Sequence, residues 1–196
     1  MGWLDDAERL DVAVYAAIAR TETPALDDAL SRLSRAADYS RLSLTAAAGL
    51  ALLGGRDGRR AAVAGLASVV VTAAIVNIGM KPFARRRRPD RVAEEVPIAR
   101  HVRMPVSRSF PSGHAAAAFA FANGVGSVSP AAAVPLHGLA ALVAYSRVHT
   151  GVHYPGDVIA GALIGITVAA ATVRTLNRRA LTAETLSADA TGPAHR

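Results

Sequence analysis

Residues 61–80 read AAVAGLASVVVTAAIVNIGM, a run of 20 residues without a charged side chain. At a rise of 1.5 Å per residue, a helix of this length spans about 30 Å, the hydrocarbon thickness of a bilayer. The composition fits that setting, because 52% of the 196 residues are hydrophobic and the mean hydropathy is +0.27. Charged residues make up 19%, below the roughly 25% of an ordinary soluble domain. The run therefore predicts a membrane-spanning helix in an all-α integral membrane protein.

Four further apolar segments predict helices around this one. They lie at residues 42–55, 113–129, 130–145 and 157–173. Residues 54–60 are polar and glycine-rich, and they predict a tight loop between the first two crossings. Five crossings place the polar stretches 81–112 and 147–156 on the same membrane face. We expect a bundle of five or six helices, in which the glycines of Gly161-Ala-Leu-Ile-Gly165 allow a close helix approach.

The two ends of the chain are more polar than these segments. Residues 7–20 and 25–38 repeat apolar side chains at three- and four-residue steps, as amphipathic helices do. They are too short or too charged to span a bilayer. We therefore predict an amphipathic N-terminal helical hairpin within residues 1–41, at the membrane interface or against the bundle. Residues 42–176 form the membrane bundle, and together with residues 1–41 they make a single domain. Residues 177–196 form a polar C-terminal tail that we expect to be frayed.

Composition also narrows the function. The chain has no cysteine, which excludes disulfide scaffolds, thiolate zinc sites and cysteine nucleophiles. Its net charge of +7 suits a phosphate substrate, anionic lipid or nucleic acid. Nucleic acid is the least favoured of these partners, because the arginines flank apolar spans and only 5% of residues are aromatic. No carboxylate cluster is available for a metal ion, and we expect neither a metal nor another cofactor.

The two polar stretches hold residue types that suit phosphate chemistry. They contain Lys81, Arg88, Ser112, Gly113 and His114 in the first, and Arg147, His153 and Asp157 in the second. Arginine binds phosphate oxygens with forked donors, and lysine adds a point charge. Free N–H groups at a helix start near Ser112 would also favour an anion. Two histidines can supply a nucleophile and an acid, and a carboxylate can orient one of them.

Three motifs in these stretches resemble the type 2 phosphatidic acid phosphatase superfamily, which includes membrane lipid phosphatases and the vanadium haloperoxidases. The first motif, a lysine followed after six residues by Arg-Pro, corresponds to Lys81, Arg88 and Pro89. Pro-Ser-Gly-His corresponds to residues 111–114. The third motif corresponds to residues 146–157. It consists of Ser-Arg, then a histidine after five residues, then an aspartate after three more. All eleven fixed positions agree, in the right order.

The resemblance implies a role for each motif residue. Those expected to bind the phosphate are Lys81, Arg88, Ser112, Gly113 and Arg147. His153 would attack phosphorus and form a phosphohistidine, while Asp157 holds its tautomer. His114 would protonate the leaving alkoxide and then help to activate water. The lipid phosphatases of this superfamily need no metal.

Some of these residues also have simpler interpretations. Arg85, Arg86 and Arg87 are interpreted as a juxtamembrane anchor for anionic lipid. Asp157 and Ser112 can also act as helix N-caps. His149 lies four residues before His153, but the spacing to Asp157 selects His153 as the nucleophile.

The expected function is metal-independent hydrolysis of a lipid phosphate or pyrophosphate by a multi-pass protein of the cell membrane. Polyprenyl carriers are favoured, because the small loops leave no large recognition domain and the composition is typical of a high-GC bacterium. Polyprenyl-phosphoryl-phosphoribose and undecaprenyl pyrophosphate are candidate substrates, and phosphatidic acid and phosphatidylglycerophosphate are alternatives. A vanadium haloperoxidase and a catalytically silent membrane scaffold are more distant alternatives. The sequence does not predict an oligomeric state.

Overall fold

A computed structural model describes residues 2–190, which form helices and loops and contain no strand. In chain order the helices are α1 (Trp3–Arg20), α2 (Pro24–Ala36), α3 (Arg41–Leu53), α4 (Gly55–Ala74), α5 (Gly113–Gly126), α6 (Pro130–His149) and α7 (Pro155–Ala190). A π-helical segment, Ile75–Met80, extends α4, and short 3₁₀ turns lie at Asp38–Ser40, Lys81–Phe83 and Ile98–Arg100. The prediction of an all-α fold is confirmed.

Helix α5 lies at the centre of the bundle, where it contacts α4, α6 and α7. Its small residues Ala115, Ala116 and Ala120 are fully buried and let the neighbouring helices come close. A Cβ on Gly161 of α7 would lie 2.5 Å from the backbone oxygen of Ser112, so the observed contact requires glycine. The expected close helix approach therefore occurs between α7 and the first turn of α5.

Within the described residues, three helices are long and apolar enough to cross a membrane. They are Gly55–Phe83, Pro130–His149 and Pro155–Thr182. Helices α3 and α5 have 13 and 14 residues. Each is therefore about 20 Å long, shorter than the hydrocarbon core of about 30 Å. All five apolar segments are helical, as predicted, but only three have the length of a complete crossing.

One prediction about helix ends is wrong. Gly54 alone separates α3 from α4, so residues 55–60 belong to a helix and not to a loop. Gly55 makes this turn with a positive φ of 60°, which glycine adopts without steric cost. Helix α7 extends to Ala190, and residues 177–190 are mainly helix-forming types without glycine or proline. The predicted tail beyond that point, residues 191–196, lies outside the described residues.

Helices α1 and α2 form where the periodicity predicts them, and both contact the bundle. Helix α1 contacts α6 and α7, and α2 contacts α6. Tyr15 of α1 is buried, whereas Trp3 and Leu10 are exposed. Asp27 of α2 forms a buried ion pair with Arg100, at 2.8 Å. These contacts attach the N-terminal helices to the polar end of the bundle.

Candidate active site

The structure brings the three motif segments together at one end of the bundle. Lys81 and Arg88 follow α4, Ser112 caps the start of α5, Gly113 and His114 form its first turn, Arg147 lies in the last turn of α6, and His153 and Asp157 flank the start of α7. The N-termini of α5 and α7 lie at this end and add partial positive charge to that of the cationic side chains.

His153 is buried between Arg88 and Asp157. Arg88 Nη1 lies 3.2 Å from His153 Nε2. Because a guanidinium can only donate, Nε2 must accept, and it therefore carries the lone pair. The ring proton is then on Nδ1, which lies 3.4 Å from Asp157 Oδ2. This tautomer presents Nε2 as a nucleophile.

His153 is also neutral at physiological pH. Burial lowers the pKa of His153 to about 3, and the nearby positive charge of Arg88 acts in the same direction. The hydrogen bond with Asp157 opposes this shift but does not reverse it. The neutral ring can therefore attack an electrophile without first losing a proton.

The buried carboxylate of Asp157 accepts several hydrogen bonds. Ser109 Oγ donates to Oδ2 at 2.5 Å, and the Tyr154 backbone N–H donates to the same oxygen at 2.9 Å. Ser109 Oγ also lies 3.4 Å from His153 Nδ1. Ser109 lies in a serine-rich loop, and no local signal in the sequence predicts its role. These contacts fix the carboxylate on the far side of the imidazole from Nε2.

Arg88 is fully engaged by the protein. Its donors face the Ser107 carbonyl at 2.8 Å, Ser107 Oγ at 3.2 Å, the Arg108 carbonyl at 3.4 Å and the Val152 carbonyl at 2.7 Å, besides His153. This network holds the guanidinium rigidly beside the lone pair of Nε2. The contact with His153 is the one that an incoming phosphate oxygen would have to replace.

Arg147 and Lys81 add two further cations. Arg147 is buried, and its Nη1 donates to Ser34 Oγ at 2.6 Å. Arg147 Nε is buried and has no partner in the described part of the chain, so it is a free donor for an anion. A Cβ on Gly113 would lie 3.3 Å from Lys81 Nζ, so glycine allows Lys81 to approach the N-terminus of α5. The positive charges of Lys81 and Arg147 therefore add to the effect of the free backbone N–H groups at the N-terminus of α5, which also favour an anion.

His114 has a carboxylate partner that the sequence analysis did not identify. Its Nε2 lies 2.9 Å from Asp38 Oδ1. Asp38 is followed by Tyr39 and Ser40, both in the left-handed region with φ of 55° and 57°. This tight turn before α3 directs Asp38 toward α5. The pair can hold the ring of His114 in a fixed orientation.

An apolar cavity of about 220 Å³ opens beside His114 and Lys81. It extends between α3, α4, α5 and α6, and its apolar wall includes Leu42, Ala46, Ala117, Phe121, Leu136 and Val143. A polar reaction centre thus lies at the end of an apolar cavity, as expected for an amphipathic substrate.

The interpretation of Arg86 as a lipid anchor is wrong. Arg86 Nη1 donates to Asp157 Oδ1 at 3.1 Å, and Arg86 Nη2 lies 2.6 Å from Asp11 Oδ2. Arg85 and Arg87 are exposed. A run of four arginines carries no local signal of which side chain turns inward. That choice depends on the position of α1, which supplies Asp11.

His149 is not among the residues that line the cavity. It is buried, and its Nε2 lies 3.0 Å from Asp27 Oδ1. No group of three or more His, Asp or Glu side chains suited to a metal ion occurs among the side chains that the structure describes.

Comparisons with known proteins give a consistent result. The family model of the PAP2 superfamily matches residues 62–181, which include every motif residue. Decaprenylphosphoryl-5-phosphoribose phosphatase of Mycobacterium tuberculosis is 41% identical to this chain over 129 residues. That alignment covers 62% of this chain and 66% of the relative, just under two thirds of the relative's length.

Two solved structures share the fold. The crystal structure of Aquifex aeolicus LpxE superposes with a TM-score of 0.65 and 26% identity, covering 84% of this chain and 95% of that one. A transmembrane PAP2 type phosphatidylglycerolphosphate phosphatase from Bacillus subtilis has a TM-score of 0.65 and 23% identity. That superposition covers 89% of this chain and 87% of the Bacillus chain, and at this identity it concerns the fold alone.

Proposed function

This chain belongs to the PAP2 superfamily, and from that premise we propose that it hydrolyses a lipid phosphate through a phosphohistidine intermediate. The observation that carries the proposal is the state of His153. The ring is neutral and buried, and its Nε2 lone pair lies beside Arg88 while Nδ1 faces Asp157. A neutral imidazole among cations is the arrangement that an attack on a phosphate dianion needs.

The first half-reaction transfers the phosphoryl group to His153. Lys81, Arg147, the Ser112 hydroxyl and the Gly113 N–H hold the phosphate, and Arg88 exchanges its contact with Nε2 for a phosphate oxygen. Nε2 then attacks phosphorus, and the bond from phosphorus to the leaving oxygen breaks. His114 donates a proton to that oxygen, so the lipid leaves as an alcohol.

The second half-reaction restores the enzyme. His114, now without the donated proton, accepts a proton from water as the water oxygen attacks phosphorus. The bond between phosphorus and Nε2 breaks, and inorganic phosphate leaves. Asp157 accepts a hydrogen bond from Nδ1–H throughout and stabilises the positive charge of the phosphorylated ring. The cations stabilise the charge on the transferring group, which is the main requirement of phosphoryl transfer.

The proposed substrate is a polyprenyl-linked phosphate. The relative from Mycobacterium tuberculosis, at 41% identity, is a phosphatase of decaprenylphosphoryl-5-phosphoribose, and this supports a polyprenyl-phosphoryl-phosphoribose here. The apolar cavity next to His114 supports an amphipathic substrate whose apolar chain enters the bundle.

Phosphate release from a panel of lipids in detergent tests this proposal. The panel contains decaprenylphosphoryl-5-phosphoribose, undecaprenyl pyrophosphate, phosphatidic acid and phosphatidylglycerophosphate. We expect the highest kcat/KM for the first lipid, with activity that survives EDTA and is blocked by vanadate. A preference for a glycerolipid would overturn the substrate assignment, and activity lost on chelation and restored by magnesium would overturn the mechanism. Bromide oxidation with added vanadate, without phosphate release, would favour a haloperoxidase.

We propose further that the chain resides in the plasma membrane with five crossings, formed by α3 to α7. In this arrangement α5 crosses with other helices shielding it, and α3 crosses with its exposed side chains Leu44 and Leu52 in lipid. Helices α1 and α2 form a helical hairpin at the interface. The exposed apolar side chains of α1, Trp3 and Leu10, support an interfacial position. As part of the same proposal, we place the active site on the outside of the cell.

Cysteine labelling tests this topology directly, since the natural chain contains no cysteine. Val92 is 84% exposed on the active-site face, and Asp57 is exposed at the other end of the bundle. On intact cells, a Val92→Cys variant should react with an impermeant maleimide, whereas an Asp57→Cys variant should react only after lysis. The reverse pattern would place the active site in the cytoplasm. Labelling of both on intact cells would contradict the five crossings.

A further inference from the structure

Arg86 joins the carboxylate of the proposed reaction centre to a second carboxylate on α1. Its Nη1 donates to Asp157 Oδ1 at 3.1 Å, and its Nη2 lies 2.6 Å from Asp11 Oδ2. The guanidinium also lies over the Tyr154 ring, 4.2 Å from the ring centroid. Three separate contacts therefore fix a side chain that is 22% exposed.

Asp11 makes a second contact in the same region. Its Oδ1 accepts a hydrogen bond from the Gly156 backbone N–H at 2.7 Å. A Cβ on Gly156 would lie 2.9 Å from Asp11 Oδ2, so glycine allows the carboxylate to reach this position. Gly156 directly precedes Asp157 in the first turn of α7. Asp11 thus holds both Arg86 and the backbone that carries Asp157.

We propose that Arg86 and Asp11 are positioning residues for the nucleophile, which act on His153 through Asp157. The inference rests on the proposed function, in which His153 attacks phosphorus. It assigns α1 a part in the reaction, because α1 supplies the carboxylate that anchors Arg86.

The hydrogen bonds of Asp157 explain why Arg86 matters. Ser109 and the Tyr154 N–H both donate to Oδ2, so Arg86 is the donor that holds Oδ1. Without Arg86, a fully buried carboxylate has one oxygen without a donor, which is costly for an ion in a dry site. The carboxylate then rotates or takes up a proton, and either change weakens the hydrogen bond that it accepts from His153 Nδ1–H. The tautomer that presents Nε2 is no longer fixed.

The charges in this cluster also suit the chemistry. Two carboxylates and one guanidinium leave one net negative charge behind the imidazole. This negative charge stabilises the positive charge that the His153 ring gains on phosphorylation. Arg86 alone would cancel the charge of Asp157, whereas Asp11 balances Arg86 and preserves it.

The test compares Arg86→Gln, Arg86→Lys and Asp11→Asn with Arg87→Gln, a matched control at the exposed neighbouring arginine. We expect Arg86→Gln to lower kcat by about 10- to 100-fold with KM within about threefold, as for other residues that orient a reacting group. Arg86→Lys should lose about tenfold, because one ammonium cannot make the two-pronged contact with both carboxylates. Asp11→Asn should lose about fivefold, and Arg87→Gln should stay within about twofold.

A double-mutant cycle tests whether Asp11 acts through Arg86 or independently of it. If Asp11 acts through Arg86, adding Asp11→Asn to Arg86→Gln causes no further loss of kcat. Independent losses that multiply would overturn the proposed relay. Thermal melting of each variant identifies effects that come only from unfolding. An unchanged kcat in a folded Arg86→Gln protein would overturn the inference.

A spectroscopic readout tests the inference without turnover. In protein labelled with ¹⁵N-histidine, the His153 signal, assigned by its loss in a His153→Asn variant, should report a proton on Nδ1. In Arg86→Gln and Arg86→Lys the signal should move toward a mixture of tautomers, while Arg87→Gln leaves it unchanged. An unchanged tautomer in both Arg86 variants would refute the inference. Failure of the wild-type protein to release phosphate would refute the proposed function and leave this readout intact.

Discussion

A His153→Asn variant should lose essentially all turnover, with kcat reduced by at least about 10⁴-fold, as for other enzymes deprived of their nucleophile. The reason is geometric, since His153 Nε2 is the nucleophilic atom that lies beside Arg88 in the cluster of cations. Asparagine retains a polar side chain near Arg88, so the phosphate site should persist. We therefore expect inorganic phosphate to bind the variant with an affinity close to that of the wild type.

Trapping of the intermediate makes this result specific. Brief reaction of the wild-type protein with a ³²P-labelled substrate, followed by alkaline quench, should give an acid-labile phosphoprotein that His153→Asn lacks. His137→Gln is the matched control, because His137 bonds to the Ala133 carbonyl of its own helix and lies outside the cavity lining. A labelled phosphoprotein in His153→Asn would place the nucleophile elsewhere.

The sequence predicted which residues meet but not all the groups that support them. Lys81, His114 and His153 each belong to a motif with fixed spacing. Because the motifs are separated by helix crossings, these residues lie at one end of the bundle. Each motif is local, so its geometry follows from a few consecutive residues. Hydropathy likewise located the five apolar helices, because burial and membrane insertion both select apolar side chains.

The supporting groups escaped prediction because they come from distant parts of the chain. Asp38 reaches His114 across 76 residues, and Ser109 reaches Asp157 across 48. Neither contact has a periodic or spacing signal, since each depends on how whole helices pack. Arg86 escaped for the same reason, because its inward orientation requires α1 to bring Asp11 alongside. Residues 54–60 were misassigned because their composition favours a loop, whereas a single glycine turn suffices.

A His114→Asn variant should show a loss of activity that depends on the leaving group. With a lipid phosphate, whose leaving group is an alkoxide, kcat/KM should fall by about 10²- to 10⁴-fold, the usual contribution of a general acid. With p-nitrophenyl phosphate the fall in kcat/KM should be less than about tenfold, because an acidic phenol leaves without protonation. The comparison uses kcat/KM because this parameter ends at the first irreversible step, transfer to His153.

The second half-reaction gives the same variant a further signature. Without His114 to accept a proton from water, hydrolysis of the phosphohistidine slows for every substrate. With p-nitrophenyl phosphate we therefore expect a burst of nitrophenol equal to one turnover, followed by slow release and an accumulated phosphoprotein. Asp38→Asn should show a weaker form of this leaving-group pattern, because Asp38 contacts His114 and orients its ring. Equal losses of kcat/KM on both substrates, without a burst, would show that His114 binds phosphate and does not transfer the proton.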